Sequence, residues 1–154
     1  MDDSAAQRAN EERLEALAAP LGISLRFDGA IGNTFHAHRV IQYFQEEKGE
    51  ELAGRLVDAL FRKYFCEGKH PAADDTLVDA CVEAGIPEGE AKDVVQDREK
   101  RERQCKMDIR VAGTDVDAVP MVSVEGKRRD ITLRGAKEVR QYVDALQTVI
   151  KEST

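Results

Sequence analysis

Residues 119–126 read Val119-Pro120-Met121-Val122-Ser123-Val124-Glu125-Gly126. A Val-Pro step enters a short, mostly apolar run that ends at a glycine, and this pattern predicts a strand from Met121 to Val124 followed by a turn. A second strand is predicted from Asp130 to Leu133 and a final helix from about Lys137 to Ile150. The buried face of that helix is predicted to consist of Val139, Tyr142, Val143, Leu146 and Val149.

The chain before this ββα unit is predicted to be mainly helical. Helical spacing of apolar residues, punctuated by glycine and proline, predicts helices over about 5–19, from Asn33 or Thr34 to about 48, over 50–65 and over about 74–82. The charged stretch from about Glu88 to Arg110 is predicted as one long helix, and residues 23–27 as a short strand or an extended segment. The sequence thus predicts one α/β domain over 1–154, with a helical part at 5–112 and the ββα part at 116–150.

The composition is that of a soluble globular protein, with 42% hydrophobic and 34% charged residues in a chain of 154. A net charge of −7 and only 5% aromatic residues argue against nucleic acid or an anionic membrane as a partner. The acidic start, Met1-Asp2-Asp3-Ser4, does not read as a signal peptide. Three cysteines, an odd number, suit a reducing compartment, so we expect a cytoplasmic protein.

An ordered series of short motifs carries a resemblance to a known family. Leu21-Gly22-Ile23, Asn33-Thr34-x-x-Ala37-His38-Arg39 and Tyr64-Phe65-x-Glu67-Gly68 come first, and Val119-Pro120 and Gly135-Ala136 follow. Over about residues 10–148 the chain resembles DsbA-like proteins of the thioredoxin superfamily. Within them it resembles the FrnE type, which is related to 2-hydroxychromene-2-carboxylate isomerases and kappa-class glutathione transferases. The resemblance implies a mainly helical domain attached to an incomplete thioredoxin-like ββα unit.

Three features depart from the family pattern. The sequence contains no Cys-x-x-Cys, and the family's opening β-α-β, which carries that dithiol, would lie before residue 1. Ala118 stands where the family usually has a glycine, and the hairpin reads Lys127-Arg128-Arg129-Asp130, which is more charged than is typical. Disulfide exchange by this chain alone is therefore not expected.

The resemblance also implies where ligands would bind. A cis-proline at Pro120, after Val119, would pair with a substrate or with glutathione, and Asn33 and Thr34 would border the same cleft. His38, one turn into the helix, is a candidate general base for isomerase-like or lyase-like chemistry. The alternatives are that Pro120 only starts a strand, that Asn33 only caps the helix and that His38 only bonds to neighbouring backbone.

Cys105 is the candidate reactive thiol, because Lys100, Arg101, Arg103 and Lys106 surround it in the sequence and cations favour a thiolate. The alternative places Cys105 on a solvated helix face, and Cys81 is predicted to be a small core residue. His36 and His38 are two positions apart and do not share a helix face, so no metal site is predicted.

Three functional hypotheses follow. The first is a DsbA-like family protein without its dithiol that binds a thiol-bearing or small aromatic ligand, or acts as a dithiol-independent isomerase or lyase through His38. The second is a non-catalytic module that forms a homodimer, or binds a partner chain, through the uncovered hairpin edge. The third is a truncated gene product whose dithiol is encoded upstream.

Overall fold

A computed structural model describes residues 3–114 and 116–153. Seven α-helices, one short 3₁₀ helix at Ala19–Leu21 and two strands lie within these ranges. The α-helices are α1 (Asp3–Ala18), α2 (Phe35–Lys48), α3 (Glu50–Phe65), α4 (Asp74–Glu83), α5 (Glu88–Gln96), α6 (Glu102–Ala112) and α7 (Val139–Ser153). The strands are β1 (Met121–Val124) and β2 (Ile131–Arg134). The predicted α/β fold, mainly helical with a small ββα unit, is confirmed.

The chain divides into two compact units, Met1–Lys106 and Met107–Thr154, which are described separately. In the first unit, α2, α3, α4 and α5 pack on one another around a core that follows the apolar stripe of each helix. The fully buried apolar side chains of this core include Val40, Phe44, Leu56, Leu77, Cys81 and Val95. Residues 23–27 form neither a helix nor a strand, and the Arg26 N–H donates a 2.7 Å hydrogen bond to the Phe65 carbonyl.

The prediction of one long helix from Glu88 to Arg110 is wrong. Helix α5 ends at Gln96 and α6 begins at Glu102. The Asp97 carboxylate accepts hydrogen bonds of 3.2 Å from the backbone N–H groups of Glu99 and Lys100, and Arg101 adopts a positive φ of 64°. An aspartate that bonds to the backbone two residues ahead favours a turn over a continuing helix, so the helix ends here without glycine or proline.

In the second unit, β1 and β2 form an antiparallel hairpin in which Met121 pairs with Arg134 and Val124 with Ile131. Helix α7 packs on both strands, and Ala145 is its buried residue. The predicted buried face of α7 is wrong for Val139, Val143 and Leu146, which are all exposed, whereas Tyr142 and Val149 are half-buried. Two strands of four residues cover only a narrow strip of a helix of fifteen residues, so most of its apolar stripe stays uncovered.

Candidate functional site

The start of α2 is fixed by Asn33 and carries Thr34 and His38. The Asn33 side-chain oxygen accepts a 2.8 Å hydrogen bond from the Phe35 N–H, which satisfies one of the free donors at the helix start. Thr34 occupies the cap position without a side-chain cap bond, and its carbonyl accepts the His38 N–H at 3.0 Å. The side chains of Thr34 and His38 are both exposed and lie one helical turn apart.

A cleft of about 180 Å³ lies where α2 faces α3, and Thr34 and His38 belong to its lining. The remaining lining is apolar apart from Tyr64, and it comprises Ala37, Ile41, Val57, Leu60, Phe61, Phe65 and Pro71. Concave, mostly apolar sites with a few polar groups are typical of small-molecule binding. The structure thus places two of the sequence-predicted site residues, Thr34 and His38, in one cleft, which we call the α2–α3 cleft. Asn33 adjoins it through the helix cap.

Sequence reasoning missed the second wall of this cleft, which α3 supplies. Leu60 and Tyr64 lie one turn apart on α3, where the apolar spacing predicts a helix and gives these two residues no functional role. The same face of α3 carries Phe61 and Phe65, whose rings meet edge to face with centroids 5.8 Å apart. Only the packing of α2 against α3 shows that these side chains and His38 line the same space.

The Val119–Pro120 loop belongs to the second unit. The peptide bond between these residues is cis, and Val119 is 82% exposed. The Pro120 carbonyl accepts a 2.8 Å hydrogen bond from the Gly135 N–H, so the loop is tied to the end of β2. The Arg134 guanidinium adds a 2.7 Å ion pair to Asp117. These contacts fix the loop's backbone and leave the Val119 side chain open to solvent.

The other two histidines, His36 and His70, lie outside the lining of the α2–α3 cleft. His36 is half-buried on α2, and burial, followed by the charges of Arg98 and Arg39, lowers the pKa of its imidazole. His70 accepts a 3.1 Å hydrogen bond from the Ala72 N–H through Nδ1.

Across residues 3–114 and 116–153, no group of three His, Cys, Asp or Glu side chains is arranged to hold a metal ion. No helix of those ranges combines the length and apolarity needed to cross a bilayer.

Comparison with known proteins decides the family. A family model described as a DSBA-like thioredoxin domain matches residues 4–147. The chain belongs to the DsbA-like thioredoxin family. Its structure is similar to the crystal structure of a "putative protein disulfide isomerase" from Nitrosomonas europaea, with a TM-score of 0.73 and 20% sequence identity over 100% of this chain and 77% of that one. At that identity the likeness shows the fold alone. The curated proteins gave no match.

The cysteines of this DsbA-like chain have different surroundings. Cys81 is fully buried in the core, as predicted, and burial together with the nearby Glu90 raises the pKa of its thiol to about 12. Cys105 is also fully buried, so the alternative of a solvated helix face is wrong, and its reactivity stays a prediction. Cys66, which received no role from the sequence, is half-buried and lines a cavity of about 640 Å³ together with Ile23, Phe61 and Arg62. None of the three forms a disulfide.

Proposed function

We propose that this chain is a FrnE-type member of the DsbA-like family that binds a small aromatic or thiol-bearing ligand and works without a dithiol. The observation that carries the proposal is the α2–α3 cleft, in which Thr34 and His38 meet an apolar wall from α3. A ligand bound there loses water from its apolar surface and still meets a few polar groups that can orient it.

The thiols support a function other than disulfide exchange. A dithiol enzyme needs two cysteines close together, one of them accessible as a thiolate. The cysteines of this sequence are 66, 81 and 105, and two of them are fully buried. Three cysteines outside any disulfide also suit a reducing compartment, so we propose a cytoplasmic location.

His38 is the residue proposed to perform chemistry. Its exposed imidazole lines the α2–α3 cleft, where it can accept a proton from a bound ligand. This role corresponds to isomerase-like or lyase-like acid–base catalysis. Val119 and Pro120 are proposed as a second ligand-binding element in the other unit, with glutathione as a candidate ligand, because their fixed backbone and exposed side chain suit pairing with an extended molecule.

Two-dimensional ¹H–¹⁵N NMR with a panel of small aromatic compounds and thiols tests the binding site. We expect the amide signals of Thr34, His38 and Tyr64 to shift on binding, and the His38→Ala variant to bind more weakly. His36→Ala is the matched control, because His36 lies on the same helix outside the cleft lining. Equal affinity of the His38→Ala variant and the wild type would remove His38 from the site.

A disulfide-exchange assay tests the second half of the proposal. We expect no more exchange by the wild type than by a variant that lacks all three cysteines, since the wild type has no accessible pair. Exchange that depends on the cysteines would contradict the dithiol-independent function and leave the binding site itself unaffected.

A partner-binding module is the second candidate function, and the second unit favours it. Val139, Val143, Leu146 and Ile150 are exposed along one face of α7, and within the described residues each strand pairs only with the other. Open strand edges beside an apolar helix face favour association with a second copy or a partner chain. Light scattering coupled to size-exclusion chromatography should then show a dimer that Leu146→Lys weakens and the control Val82→Lys does not. A stable wild-type monomer counts against self-association.

A further inference from the structure

We infer that the α2–α3 cleft selects neutral ligands with a single aromatic ring and excludes anions, glutathione among them. The inference rests on the proposed function, since it names the class of ligand that the cleft accepts. It follows from the volume of the cleft, from the chemistry of its lining and from the charge of the unit that contains it.

The volume sets the size of the ligand. The cleft measures about 180 Å³. An apolar cavity of about 150 Å³ accommodates one benzene ring, whereas sites for drug-sized molecules measure roughly 300–1,000 Å³. The α2–α3 cleft can therefore enclose one six-membered ring with a small substituent, and the rest of a larger ligand would stay in solvent on the open side, where Thr34 and His38 are exposed. Glutathione, a charged tripeptide, exceeds this space.

The lining sets the charge of the ligand. None of the ten lining residues is a lysine, arginine, aspartate or glutamate, and the imidazole of His38, the one lining group that can become a cation, is exposed to solvent. A carboxylate enclosed against the apolar wall would therefore have no permanent positive charge beside it. Moving an unpaired carboxylate from water into such surroundings is costly. The two cations of α3 that adjoin lining residues, Arg62 and Lys63, are already engaged in ion pairs, Arg62 with Glu67 and Glu83 and Lys63 with Glu83. A neutral ring loses little by entering the same space.

The surrounding unit opposes anions further. Residues 1–106 contain 22 acidic and 15 basic residues, so this unit carries the whole net charge of −7, and residues 107–154 are neutral. A surplus of negative charge lowers the local concentration of anionic ligands.

The three polar side chains of the lining set the position of the ligand's substituent. Thr34 and Tyr64 carry hydroxyl groups and His38 an imidazole, while Ile41, Val57 and Leu60 supply apolar wall. A phenol can place its ring against the apolar wall and donate its hydroxyl proton in a hydrogen bond to His38 or Thr34. Phenol is neutral at pH 7 and benzoate is ionised, so the two compounds differ chiefly in charge at similar size.

NMR titration of the full chain at pH 7 with phenol, benzoate, 2-naphthol and reduced glutathione tests the inference. We expect phenol to shift the amide signals of the cleft residues, benzoate to bind at least about tenfold more weakly, and 2-naphthol and glutathione, which the cleft cannot enclose, to bind more weakly than phenol. Val57→Ala should enlarge the cleft and admit 2-naphthol, and Val57→Phe should fill it and abolish phenol binding. Val82→Ala, an exposed position on α4 outside the lining, should bind phenol like the wild type.

The outcomes separate this inference from the proposed function. If benzoate or glutathione binds in the cleft as tightly as phenol, the selectivity is wrong and the ligand-binding function stands. If none of the four compounds moves the cleft signals, the inference is wrong, and the function then depends on the wider panel of aromatic compounds and thiols. Circular dichroism checks that the Val57 variants fold, and the comparison of phenol with benzoate on the wild type decides the inference without them.

Discussion

The guanidinium group of Arg39 on α2 donates a 2.9 Å hydrogen bond to the carbonyl oxygen of Val94 near the end of α5. It also donates to the carbonyls of Val95 and Lys100, both at 3.1 Å, and its side chain is fully buried. Burial, followed by the charge of Arg98, lowers the pKa of Arg39. One side chain thus satisfies three carbonyl groups around the end of α5 and holds α2, the helix that carries His38, against it.

Arg39→Ala should destabilise the chain by about 3 kcal/mol, because it leaves a cavity and removes the donors from buried carbonyl groups. Arg39→Lys should lose at least half as much, since an ammonium group cannot reach three carbonyls with the geometry of a guanidinium fork. Urea unfolding followed by circular dichroism measures both changes. Arg140→Ala is the control, because that side chain is 90% exposed and its pair with Asp144 contributes little. A lysine variant as stable as the wild type would contradict this role.

Replacing Gly126 or Gly54 by alanine should change the stability of the chain in opposite directions. A Cβ at Gly126 would lie 2.6 Å from the Arg129 carbonyl oxygen and 2.9 Å from Cγ1 of Val149 on α7. Gly126→Ala should therefore force the hairpin turn away from α7 and cost about 1–3 kcal/mol. Gly54 lies inside α3 with nothing within 4 Å of a Cβ, so Gly54→Ala should add about 0.5–1 kcal/mol through helix propensity. Thermal unfolding of both variants checks the signs, and two changes of the same sign would refute the packing argument for Gly126.

The elements that the sequence predicted well are those with local signals. Helix α3 begins at Glu50 after Gly49, and β1 spans Met121–Val124, both as expected from apolar spacing and flanking glycines. The break after Gln96 had no such signal. It depends on the Asp97 turn and on distant residues, because Arg39 binds carbonyls on both sides of the break and Arg101 pairs with Glu46. Contacts of this kind cannot be read from local periodicity.

Only part of the candidate site could be predicted from the sequence, for the same reason. Thr34 and His38 were found from a motif at a helix start, but the wall formed by Leu60 and Tyr64 appears only when α2 and α3 pack. For α7 the sequence predicted more than the structure shows, because most of its apolar stripe is exposed. The apolar spacing of α7 predicts a buried face, but the burial of that face depends on the area of sheet that packs against the helix. The sequence pattern of the helix does not contain this area.

Cys81 should make the stability of the chain fall at alkaline pH. Its folded pKa of about 12 exceeds the ordinary thiol value of 9.0, so between these values the unfolded chain loses a proton that the folded chain keeps. The unfolded state is then favoured by about 1.4 kcal/mol per pH unit, and below pH 9 the effect vanishes. Cys81→Ala removes this term, so its stability deficit relative to the wild type should shrink by about 1 kcal/mol between pH 9.5 and 10.5 in urea unfolding. Parallel pH profiles for the two proteins would contradict the raised pKa.

Cys66 should be the thiol that reagents reach first. It is half-buried in the lining of a cavity of about 640 Å³, whereas Cys81 and Cys105 are fully buried. An aromatic disulfide reagent should therefore titrate one thiol per chain quickly in the folded protein and all three in urea. Cys66→Ser should abolish the fast reaction, and Cys81→Ser, the matched control, should keep it.

Oxidation then distinguishes this chain from a dithiol enzyme. Because one thiol is accessible and two are enclosed, mild oxidation of the folded protein should link two chains through Cys66 and should form no disulfide within a chain. Non-reducing electrophoresis should show the linked dimer for the wild type and for Cys105→Ser, and a monomer for Cys66→Ser. A disulfide within the folded chain, detected by peptide mapping, would mean that a buried cysteine reaches the surface readily, and a disulfide that contains Cys105 would support the prediction that Cys105 is the reactive thiol.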